Sequence, residues 1–66
     1  MPVKRQPIAL TLAGVDSSGG AGVAVDLSTF NALGVRGKCV VTAVTAQSSK
    51  AVWGVQGTRP IIITAQ

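Results

Sequence analysis

The first apolar run, Pro7–Gly14 (PIALTLAG), is hydrophobic at nearly every position. That predicts a β-strand over about 8–14 with both faces covered, not one with a wet face. The period then changes. From about Gly20 to Leu33 apolar residues recur at Val23, Leu27, Phe30 and Leu33, the stripe of one α-helix over about 20–33. Gly34 stands where a helix C-terminus takes glycine. Lys38–Gln47 (KCVVTAVTAQ) is rich in β-branched residues and predicts a second strand over about 39–47. After the polar Ser48-Ser49-Lys50, Ala51–Pro60 reads as a shorter, glycine-interrupted extended segment, with strand over about 52–58. Pro60 suits the first turn of a further helix, and residues 1–6 form a polar lead-in.

Strand, helix and strand joined by short connections predict a βαβ unit, its strands parallel and its crossover right-handed. Parallel strands apolar on both faces need helices on both sides of the sheet, yet the pattern supplies one whole helix. The expected class is therefore α/β, the opening β-α-β portion of a larger domain with a mainly parallel sheet, about its first quarter. Sixty-six residues allow at most one small domain, which buries only about 60% of its unfolded surface. With 47% hydrophobic and 12% charged residues the chain is globular in composition.

The net charge of +4 raises nucleic acid as a partner, but the distribution argues against it. The basic residues are scattered, only Lys4 and Arg5 are adjacent, and the aromatics are Phe30 and Trp53 alone. No apolar stretch approaches the ~20 residues that span a membrane, and no signal peptide is read, so neither nucleic acid nor membrane is expected as a partner. One cysteine, Cys39, and no histidine exclude an internal disulfide framework and a four-ligand zinc site. A lone thiol is compatible with a reducing cytoplasm. Cys39 at the entering end of its strand reads as a small core residue, and Trp53 as a packing or interface residue.

The chemistry concentrates in Ala13–Phe30, AGVDSSGGAGVAVDLSTF. A glycine-rich turn from a strand into a helix N-terminus presents free N–H groups and allows close approach by a ligand. A phosphate P-loop would need Gly-Lys-Ser/Thr, and no lysine stands between Arg5 and Arg36. A dinucleotide fingerprint would need a third glycine where Val25 stands. Asp26 falls between Phe30 and Leu33 on a helical wheel, inside the apolar stripe, where a carboxylate needs a partner. Asp16 is placed to cap the turn. Gln47 closes the second strand, and ligands of open parallel sheets sit beyond the carboxyl ends of the strands. Its amide offers a donor and an acceptor to a heterocycle edge. With Gly14 at the end of the first strand and Asp26 on the helix, it forms a candidate cluster for an uncharged polar ligand.

Three motifs in fixed order, AG.DSSGGAG, DL.TF.ALG and TA.TAQ, followed by P....AQ, make the chain from about Ile8 to Gln66 similar to a known family. It resembles the amino-terminal segment of the hydroxymethylpyrimidine/phosphomethylpyrimidine kinases of thiamine biosynthesis, within the ribokinase-like superfamily. The resemblance implies a ribokinase-like three-layer fold, of which this chain is a partial domain on the substrate side. It implies cytoplasmic phosphotransferase chemistry on an aminopyrimidine substrate and, for the intact enzyme, a homodimer. It further implies that Gly14, Asp26 and Gln47 line the pyrimidine pocket, with Ala21 packing nearby in the turn. ATP and Mg2+ would serve the full-length family through residues downstream of Gln66, so no catalytic residue is expected here. The chain departs from the family's common pattern at Ala24-Val25 and Ser48-Ser49, which bears on fine specificity. Two rival expectations are a pyridoxal kinase-like segment and a non-catalytic βαβ interaction protein that folds by itself.

Overall fold

A computed structural model describes residues 5–66; the first four residues of the polar lead-in lie outside the described residues. In chain order the elements are β1 (Ile8–Asp16), α1 (Val23–Ala32), β2 (Arg36–Gln47), β3 (Val52–Gly57) and α2 (Pro60–Ala65). The sheet order is β1-β2-β3. β1 and β2 are parallel, with α1 as the crossover, and β3 is antiparallel to β2. The mixed sheet follows from the connections. The tight Ser48–Ala51 reversal, closed by Ser48 N–H donating to Ala51 C=O at 2.9 Å, permits only an antiparallel neighbour, because a parallel return needs a dozen or more residues.

Three boundaries differ from the sequence expectation. β1 does not end at Gly14: after an irregularity between Ala13 and Val15, pairing resumes as Val15–Val44 and Asp16–Thr45. β2 starts at Arg36 instead of near Cys39, because Ile8 opens the ladder opposite Arg36. α1 starts at Val23, three residues after Gly20, because Ser17–Gly22 are used in a loop instead of a first turn. The other end of α1 follows the expectation. Gly34 N–H donates to Asn31 C=O at 3.1 Å and Val35 N–H to Phe30 C=O at 2.8 Å, the paired bonds of a Schellman motif around a glycine with φ 72°.

α1 lies on one face of the sheet. A Cβ at Gly37 would come within 2.8 Å of the Leu27 and Phe30 side chains, so the missing side chain lets helix and strand close up. Val23 and Val40 are the only buried hydrophobic residues among those described. The pattern of β1 calls for cover on both faces, and, as the single whole helix implied, the chain supplies it on one. Ala9, Thr11 and Ala13 are half-buried, whereas Ile8, Leu10 and Leu12 on the opposite face are 56–63% exposed. One crossover helix covers one side only, and the six-residue α2 packs on β2 alone. Leu33, expected in the helix stripe, is exposed because it is the C-cap, past the last helical residue. Trp53 is exposed and Cys39 is half-buried. Gln66 extends the sheet edge that β3 leaves open: its amide donates to Val41 C=O and accepts from Val41 N–H, both at 2.9 Å. Among the described residues no helix is long and apolar enough to cross a membrane.

Candidate functional site

The β1–α1 loop is organised around an acid. Asp16 C=O accepts Gly19 N–H at 2.9 Å, with Asp and Gly at the two ends of the four-residue turn that favours them there. The Asp16 carboxylate accepts Ser18 N–H at 2.8 Å and the Ser18 hydroxyl at 2.6 Å. That is the side chain bonding its own backbone two residues on. The Ser18 hydroxyl, with the N–H groups of Ser18, Gly20 and Ala21, holds the Asp16 carboxyl below its ordinary range, against an opposing push from desolvation. Asp16 thus has the structural role its position suggested. The loop N–H groups nearest the Asp16 carboxylate are therefore turned onto a negative charge carried by the chain itself.

A pH dependence follows. A carboxyl whose folded-state pKa is lowered contributes fully above its unfolded value, about 3.9. Its contribution disappears as pH falls through the lower folded value. The amide resonances of Ser18, Gly20 and Ala21 are expected to stay fixed from neutrality to about pH 4 and to move together only below it. Joint movement at pH 5 or higher would contradict this role for Asp16.

The loop is also tied to the end of β2. Ser17 N–H donates to Thr45 C=O at 3.3 Å. The Ser17 hydroxyl donates to Gln47 C=O at 3.0 Å and accepts Gln47 N–H at 2.8 Å, while the Thr45 hydroxyl donates to Val15 C=O at 3.1 Å. Gly22, at φ 72°, pairs back with Val15 before the helix starts. Between these segments lies an open cleft of about 180 Å³, lined by Gly14, Val15, Asp16, Ala21, Gly22, Thr45 and Gln47. Two larger hollows, of about 470 and 410 Å³, lie at the amino ends of the strands and the C-terminal end of α1. The smaller cleft is the candidate site because it lies beyond the carboxyl ends of the parallel pair, where open α/β sheets hold their ligands.

Gly14, Ala21 and Gln47, three of the four residues expected to contact a ligand, therefore share one cleft. Asp26 does not line it. It stands one helical turn beyond Gly22, its N–H bonded to Gly22 C=O at 3.0 Å. Its carboxylate accepts the Thr11 hydroxyl from the face of β1 beneath the helix. The position inside the apolar stripe was legible, and its partner was not named. Thr11 carried a signal, since it is the one polar side chain in PIALTLAG. Thr45 was also overlooked, although strand period two places it on the same face as Gln47.

Similarity to known proteins identifies the family and the fold. Residues 16–66 match the family model described as phosphomethylpyrimidine kinase. The hydroxymethylpyrimidine/phosphomethylpyrimidine kinase of Rhizobium meliloti is 52% identical over 59 residues, 89% of this chain and 22% of that protein. The crystal structure of phosphomethylpyrimidine kinase from Clostridium difficile superposes with a TM-score of 0.83 at 51% identity, covering 89% of this chain and 27% of that one. Pyridoxal kinase from Staphylococcus aureus in complex with pyridoxal gives a TM-score of 0.85 at 29% identity, over 96% of this chain and 24% of that one. The chain thus spans about a quarter of these relatives, on their N-terminal side. Its fold is the opening part of the ribokinase-like fold, and with most of its length matched by the family model, the chain belongs to the phosphomethylpyrimidine kinase family.

Proposed function

We propose that this chain supplies the substrate-side segment of an ATP-dependent kinase of thiamine biosynthesis. The acceptor would be 4-amino-5-hydroxymethyl-2-methylpyrimidine, its monophosphate, or both. The observation that carries the reading is that the family match includes Ala21 and Gln47 of the cleft and Asp26 on α1, all within residues 16–66. In this reading Gly14 and Ala21 let the ring lie against the loop backbone. Gln47 meets the ring edge with one donor and one acceptor, and Asp26 accepts from the amine or the hydroxymethyl group. Their contribution to phosphoryl transfer is positioning: holding the acceptor oxygen where the transferred group arrives.

ATP would supply the phosphoryl group and Mg2+ the charge neutralisation. The described residues of this chain do not fit either one. The Ser18 N–H is engaged by Asp16, no lysine stands in the loop to meet a phosphate, and among the described residues no group of three or more His, Cys, Asp or Glu could hold a metal ion. Both groups are assigned to the rest of the kinase, which we place in the cytoplasm as a homodimer.

Fold does not separate the pyrimidine reading from the pyridoxal one, since both kinases superpose equally well. Sequence identity favours the pyrimidine. A full-length enzyme with this N-terminal segment is expected to show a kcat/KM for the aminopyrimidine alcohol at least ~10-fold above that for pyridoxal, the scale on which paired and unpaired polar groups discriminate. A preference for pyridoxal would overturn the assignment.

A further inference from the structure

We propose that Thr11 is a positioning residue for the carboxylate of Asp26 and so restricts the site to ligands that donate a hydrogen bond. The proposal rests on the reading above that Asp26 meets the substrate. Thr11 stands on the α1 face of β1 between Ala9 and Ala13, two side chains too small to touch a carboxylate firmly. Its β-branched side chain has restricted rotamers, and its hydroxyl donates to Oδ2 of Asp26 across the strand–helix interface. Both residues are half-buried, so water competes less for that bond than it would at the surface.

The direction of the bond matters. By donating its hydroxyl proton to Oδ2, Thr11 fixes the orientation of the carboxyl plane. Among the described hydrogen bonds the other oxygen, Oδ1, has no partner. A ligand group meeting it must therefore donate, as an exocyclic amine or an alcohol does, while a bare ring nitrogen or a carbonyl is disfavoured. Thr11 lies on the half-buried face of β1 with Ala9 and Ala13. Only at this register does it face the one acid on the helix.

The test uses the full-length enzyme with this N-terminal segment and three variants: Thr11→Val, which keeps the shape and removes the hydroxyl, Thr11→Ser, which keeps the hydroxyl, and Asp26→Asn. Thr11→Val is expected to lower kcat/KM for the aminopyrimidine alcohol by about 10- to 100-fold, the range for losing a hydrogen bond to a charged group. KM for ATP should not move. Thr11→Ser should return to within about 3-fold of wild type, and Thr11→Val/Asp26→Asn should be no worse than Asp26→Asn alone, because the two act as one unit. Multiplying effects, a parallel rise in KM for ATP, or no rescue by serine would overturn the proposal.

Side-chain couplings of Asp26 give a readout that does not depend on activity. They should report a single χ1 rotamer in wild type and Thr11→Ser, and an averaged one in Thr11→Val. If wild type phosphorylates neither alcohol, the functional reading fails, and these couplings alone decide the positioning role. A fixed rotamer in Thr11→Val overturns it.

Discussion

Replacing Gly22 by alanine in a full-length enzyme with this N-terminal segment is expected to cost about 3 kcal/mol or more of stability and to abolish measurable use of the pyrimidine. Two effects combine. The backbone at Gly22 has φ 72°, a region that costs an L side chain roughly 1–2 kcal/mol. A Cβ built there would also overlap the carbonyl oxygen of Gly14, which is backbone and cannot rotate away. Relief requires moving either the end of β1 or the start of α1, and both border the cleft. Two other glycines serve as controls. Gly19 has φ 75° but nothing within 4 Å of an added Cβ, so Gly19→Ala should cost only the backbone strain, about 1 kcal/mol. Gly54 faces open space at an ordinary φ, and Gly54→Ala should lie within about 0.5 kcal/mol of wild type. Denaturation midpoints in the order Gly22→Ala far below Gly19→Ala, and Gly19→Ala below Gly54→Ala, check the argument. A Gly22→Ala enzyme as stable as Gly19→Ala would refute the close packing of loop against strand.

The same glycines explain which parts of the molecule could be read from the sequence. Gly34 was legible because its role is local: the helix pattern stops and the next residue needs positive φ. The start of α1 was not, because Gly20, Ala21 and Gly22 are compatible with a first helical turn by size. What removes them from the helix is a pairing between Gly22 and Val15 and the pull of the Asp16 carboxylate. Neither is visible in periodicity. Gly14 misled in the opposite sense: it reads as a strand terminator, yet β1 continues because β2 offers Val44 and Thr45 as partners. At the site, strand ends could be inferred to converge, which placed Gly14 and Gln47 together; Ala21 came from the family resemblance, and all three line one cleft. Asp26 was recognised as an acid on an apolar face. Its partner depended on the register of α1 over β1, which only the three-dimensional arrangement supplies.

Expressed alone, the 66-residue chain is expected to show no cooperative thermal transition, to bind an apolar dye, and to catalyse no phosphoryl transfer. The surface argument is quantitative. A folded monomer of 6.6 kDa should expose about 3,900 Å², and this chain exposes 5092 Å². Its radius of gyration, 14.4 Å, likewise exceeds the roughly 11 Å of a compact domain of that length. If half of the surplus surface is apolar, about 600 Å² at ~25 cal/mol per Å² is a shortfall of ~15 kcal/mol, as large as the whole stability of an ordinary domain. The shortfall has an address in Ile8, Leu10 and Leu12 on the open face of β1. Replacing Leu10 and Leu12 with threonine should therefore reduce aggregation and dye binding without producing a melting transition, since it removes the exposed surface but adds no core. Trp53, 71% exposed, offers a fluorescence probe for the experiment. A sharp transition seen alike by Trp53 and by circular dichroism in the isolated chain would mean that two buried valines suffice. The rival view of a self-sufficient βαβ binding protein would then gain the ground that the kinase reading loses.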